Sequence, residues 1–81
     1  MKLSTFILLS EKEKQHALMH EGILIAKRTN IENLIFLFQL EGFYVEVYGN
    51  ITNKKVEEFR TFSGTEQLHP YLESINIAHL L

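Results

Sequence analysis

The stretch that most narrows what this chain can fold into runs from Leu34 to Tyr48. Two runs of β-branched, aromatic and long apolar residues flank Glu41-Gly42. A glycine at the second of two loop positions suits a tight turn that needs positive φ. A two-residue turn sets Leu40 opposite Phe43, Phe38 opposite Val45 and Phe36 opposite Val47, so one face of the hairpin is wholly apolar. The other face is mixed: Gln39 meets Tyr44, Leu37 meets Glu46 and Ile35 meets Tyr48. A slip of one residue would scatter these sets across both faces, so the clean sorting supports the register as well as the hairpin.

On the N-terminal side, Ser10-Glu11-Lys12-Glu13 has the pattern of a capping box and predicts a helix start. Glu11 and Glu13 in the first turn, His20 near the end and Gly22 just past it agree with that placement. Ala17 and Leu18, with Leu8 or Leu9, are the expected inward residues, and Phe6 to Leu9 reads equally as a short extra turn or an extended lead-in. Ile23 to Arg28 reads as a first strand. Leu24 and Ala26 are expected to face the helix, because a small residue lets a helix approach, although Ile23 and Ile25 fit almost as well.

After the hairpin, residues 49–54 have turn composition and Lys55 to Phe62 forms a fourth strand. The expected register pairs Tyr44 with Arg60, Glu46 with Glu58 and Tyr48 with Val56, and sets Phe59 on the core face beside Val45. Glu46 and Glu58 then repel mildly, relieved by Arg60 on the diagonal. A turn at 65–69 and a short helix from Pro70 to about Ile75 come next, with Leu68, Tyr71, Leu72 and Ile75 on its apolar side. The fold class is therefore α+β, one domain over residues 1–81: an N-terminal helix, a four-stranded antiparallel meander and a short C-terminal helix, in the order α-β-β-β-β-α. Phe36, Phe38, Val45, Val47 and Phe59 are expected to form the core beneath the first helix.

With 81 residues, the chain buries only roughly 60–65% of the surface it exposes when unfolded. There is no cysteine, so disulfides cannot supplement so small a core, and self-association is the natural substitute. The same absence fits a reducing compartment. The apolar run Phe6 to Leu9 is too short for a secretory signal or a membrane span, so a cytoplasmic location without membrane contact is expected. A formal charge of −2 argues against a protein built to hold nucleic acid. Lys54-Lys55 with Lys27-Arg28, Tyr44 and Tyr48 would suit a stacking platform for single strands. However, Glu46, Glu57 and Glu58 share that neighbourhood and repel phosphate.

His16 and His20 lie four apart and share a helix face that suits one metal ion. Two ligands do not complete a site, and His69 or His79 would have to be brought over by folding, so neither metal nor cofactor is expected. The mixed sheet face carries the candidate ligand or interface residues Tyr44, Glu46, Tyr48, Glu58 and Arg60. Tyr44, Glu46 and Arg60 have the chemistry of a phenolic donor, a general base and an anion clamp, which gives one reading: a small-ligand binding protein or enzyme. No nucleophile-base pair or glycine-rich phosphate loop accompanies them, and no catalytic residue is assigned.

The leading expectation is a small non-catalytic interaction or regulatory module, a homodimer through the mixed face, whose surface also suits an unlike protein partner. Ile35, Leu37, Tyr44, Tyr48, Val56 and Phe62 would leave a patch above the roughly 300–600 Å² that monomers expose. In a two-fold pair, Glu46 of one copy would meet Arg60 of the other. A C-terminal segment lying across this face would remove the reason for that dimer.

Overall fold

The capping box forms. The Glu13 amide donates to Ser10 Oγ at 3.2 Å and the Ser10 amide donates to Glu13 Oε1 at 3.1 Å, satisfying two of the donors that a helix start leaves over. The Ser10 amide and hydroxyl hold the Glu13 carboxyl below its ordinary pKa. In this computed structural model, which describes residues 1–64 together with Leu68 and Tyr71, the capped helix is α2 (Glu11–Glu21), preceded by the short α1 (Leu3–Ile7). Phe6 on α1 is fully buried, its ring centre 5.7 Å from that of Phe43. The N-terminal lead-in is thus a helical turn anchored by Phe6, while Leu8 is 85% exposed.

Beyond α2 the chain forms four strands, β1 (Ile23–Thr29), β2 (Asn33–Leu40), β3 (Phe43–Asn50) and β4 (Val56–Phe62), in the spatial order β1-β2-β3-β4 with antiparallel pairing throughout. Between β2 and β3 every expected pair is present, and Gly42 takes a φ of +85°. The capped helix, the meander and this register are as the residues predict. The C-terminal helix expected over 70–75 lies outside the described residues, apart from Tyr71.

Two bulges overturn finer expectations. In β1, Leu24 pairs with Phe38 but Ala26 pairs with Leu37, leaving Ile25 as an extra residue. Such an insertion reverses the facing of the residues after it. Leu24 and Ala26 therefore lie on opposite faces, and Arg28, opposite Ile35, joins the mixed face. In β4 the register is two residues from the expected one: Tyr44 pairs with Phe62, Glu46 with Arg60 and Tyr48 with Glu58. Gly49 then pairs with Val56, and Glu57 is the extra residue. The Glu57 carboxylate accepts from the side-chain amides of Asn33 at 2.7 Å and Asn50 at 3.3 Å, so the break in the ladder is tied to two neighbouring strands. Phe59 keeps its expected face but sits beside Val47, and Val56 moves to the helix side.

Consequently each sheet face carries a core. On the helix side, Phe6, Ala17 and Leu18 pack on Leu40, Phe43, Val45 and Val47, flanked by the half-buried Phe36, Phe38 and Phe59. Lys14 lays its ammonium 5.9 Å from the Phe6 ring centre and 5.7 Å from that of Phe59, covering apolar surface with its stem. On the other side, Ile35, Leu37 and Phe62 are buried together with Tyr71, against Ile25, Ala26 and Leu68. The apolar patch expected to call for a two-fold partner is therefore closed from within the chain: Ile35 and Leu37 are 0% exposed. Burial of these two side chains takes from the expected patch part of the apolar area that argued for a partner there. Among the described residues, no helix is long and apolar enough to cross a membrane.

Candidate functional site

Glu46 sits in the middle of β3 on the mixed face, with Leu37 beside it on β2 and Arg60 on β4. It is 7% exposed, and a carboxylate so placed needs partners that replace its lost hydration. Two converge on Oε2. From β1, Arg28 brings Nη2 to 3.3 Å, and the same nitrogen lies 3.3 Å from the Tyr48 hydroxyl. Tyr71 donates its phenolic proton to the same carboxylate oxygen. The Arg28 guanidinium also lies 5.2 Å from the centre of the Tyr71 ring, within the range of a cation–π contact. A carboxylate, a guanidinium and two phenols thus form one network that ties β1 and β3 to Tyr71.

The electrostatics keep Tyr71 and Arg28 in the charge states the network needs. Burial, and next the carboxylate of Glu46, push the Tyr71 phenol well above its ordinary value, so it remains a donor. Burial works against the charge on Arg28, but the partners Tyr71 and Glu46 outweigh it and raise its pKa further.

Of the residues picked out from the sequence, Glu46 and Tyr48 enter this network. Tyr44 stacks on Phe62 with ring centres 5.3 Å apart. Arg60 is Glu46's ladder neighbour, yet its Nε donates to Glu58 Oε2 at 2.8 Å and its guanidinium lies 4.7 Å from the Tyr48 ring centre. The hydrogen-bond partners of the Glu46 carboxylate are thus Arg28 and Tyr71, rather than the Tyr44 phenol and the Arg60 guanidinium expected as its donor and anion clamp. Sequence reasoning misses Arg28 and Tyr71 as partners of Glu46. Foreseeing the Ile25 bulge would assign Arg28 to this face, whereas Tyr71 carries only an apolar signal.

Chemically the arrangement is a lock. Oε2 accepts from both Tyr71 and Arg28, and little of Glu46 reaches solvent, so the carboxylate holds β1, β3 and Tyr71 together. Among the described residues, no group of three or more histidines or carboxylates is placed to hold a metal ion. No family model matches the chain, and no curated protein or solved structure matches it.

Proposed function

We propose that the chain is a small non-catalytic interaction module that associates with a second copy of itself. The observation carrying this reading is an apolar groove of about 480 Å³ on the helix-side face, lined by Leu34, Phe36, Val47, Ile51 and Val56. Strand and loop residues alone line it, and the Glu57 bulge delivers Val56 to it. Ile51 is 45% exposed there, so a partner that covers the groove gains hydrophobic stabilisation. The rim favours a like copy. Lys54 borders the groove, and Glu32 is adjacent, its carbonyl accepting the Ile51 amide at 3.0 Å. A two-fold apposition brings Lys54 of one copy toward Glu32 of the other.

The engagement of Glu46 with Tyr71 and Arg28 supports this reading over a ligand-binding or catalytic use of Tyr44, Glu46 and Arg60. Sedimentation velocity across the micromolar range tests it. A concentration-dependent dimer is expected, weakened by at least about tenfold in Ile51→Asp, a loss of about 1.4 kcal/mol. A monomer at every concentration would sink self-association, and an unweakened variant would exclude this groove as the interface.

A further inference from the structure

We propose that His16 and His20 form a two-histidine site for a divalent transition cation of the zinc or copper kind. A spacing of four sets both rings on one face of α2, and their Nε2 atoms stand 3.1 Å apart, with ring centres separated by 4.2 Å. Metal–imidazole bonds of about 2.0–2.1 Å require two ligand nitrogens roughly 3.3 Å apart at a tetrahedral angle and roughly 2.9 Å apart at a right angle. The observed separation lies between the two. The nitrogens are thus already at the spacing one cation requires, and rotation of the rings aims both lone pairs at it.

Without the cation, one Nε2–H donates to the other Nε2, which requires opposite tautomers. With it, both neutral rings carry their proton on Nδ1 and both Nε2 atoms face the metal. The exchange is a tautomer shift with no net proton released.

The surroundings admit an ion. A broad depression of about 630 Å³ fronts both rings, with Glu13 and Glu21 among its lining residues. Their carboxylates favour a dication, although Glu13 Oε1 is engaged by the Ser10 amide and Glu21 Oε1 lies 3.6 Å from the Met1 amino group. Lys12, on the same lining, opposes it. Water completes the coordination. Because α2 buries only Ala17 and Leu18, a clamp from His16 to His20 stabilises a helix that leans on few packing contacts.

The test is titration of the full chain with Zn²⁺ followed by imidazole NMR, alongside Cu²⁺ and Mg²⁺ followed by the denaturation midpoint. His16 and His20 resonances should move together and saturate at one ion per chain. Cu²⁺ should bind more tightly than Zn²⁺, and Mg²⁺ should leave the midpoint in place. His16→Ala and His20→Ala should each lose at least about tenfold in affinity, with helix content by circular dichroism confirming that both variants fold. The double variant His69→Ala/His79→Ala should bind as the parent does. Binding that survives both single variants, that disappears with His69 and His79, or that Mg²⁺ matches would overturn the assignment, as would no response to Zn²⁺ or Cu²⁺.

Discussion

Glu46 keeps its place inside the sheet because a tyrosine and an arginine meet at one of its oxygens. Tyr71→Phe removes one donor while nearly conserving volume. The variant should lose about 1.5–3 kcal/mol, the range for a hydrogen bond to a charged group, read as a lower denaturant midpoint. The pH dependence has a definite sign. Since the folded state raises the Tyr71 pKa, the unfolded chain releases this proton first, near the ordinary value of 10.0. The stabilisation is complete below that pH and is lost progressively above it. Parent midpoints should therefore fall above about pH 10, and Tyr71→Phe should flatten that fall; equal alkaline losses would place the titration elsewhere. The face of Glu46 is legible from the hairpin register, but its partners are not. Arg28 changes face with a single inserted residue at Ile25, and nothing in a short apolar pattern shows that the Tyr71 hydroxyl will find a carboxylate.

At the scale of elements, the hairpin is legible because alternation and the glycine turn point to one register. The bulges are not. Ile23 to Ala26 is apolar throughout, so its sequence has no period for an extra residue to interrupt, and Glu57 resembles any solvated strand residue until Asn33 and Asn50 are seen to grip it. Gly22 is legible as a helix end but for a reason that proves different. Its φ of −82° is not left-handed; instead, an added Cβ would stand 2.7 Å from the Leu18 carbonyl oxygen. Gly42 has open space but a φ of +85°. Gly22→Ala and Gly22→Asn should both destabilise, by about 1–3 kcal/mol as overpacking does. Gly42→Asn should be milder than Gly42→Ala, because asparagine tolerates the left-handed region. Thermal melts of the four variants check this, and a Gly22→Asn variant as stable as the parent would show that the helix end yields without strain.

For the whole molecule, the residue pattern suggests one core and one open face, whereas among the described residues both faces of the sheet carry a buried cluster. That difference turns on the C-terminal region, where Leu68 and Tyr71 pack on Ile35, Leu37 and Phe62. A chain ending at Gly64 removes both. It uncovers two aliphatic side chains that are 0% exposed in the full chain and leaves the Arg28–Glu46 pair without its phenolic donor. Loss of the Tyr71 burial alone should cost about 1.5–3 kcal/mol, a large share of the roughly 5–15 kcal/mol that holds a native domain together. The shortened chain should unfold at much lower denaturant and associate through the bared face, the contact that its mixture of apolar and charged residues suggests. Combining the truncation with Ile51→Asp separates this association from any at the groove: it should persist in the combined variant and weaken when Leu37→Asp is added on the bared face. A shortened chain that stays monomeric, with the parent's midpoint, would show that Tyr71 does not close the second core.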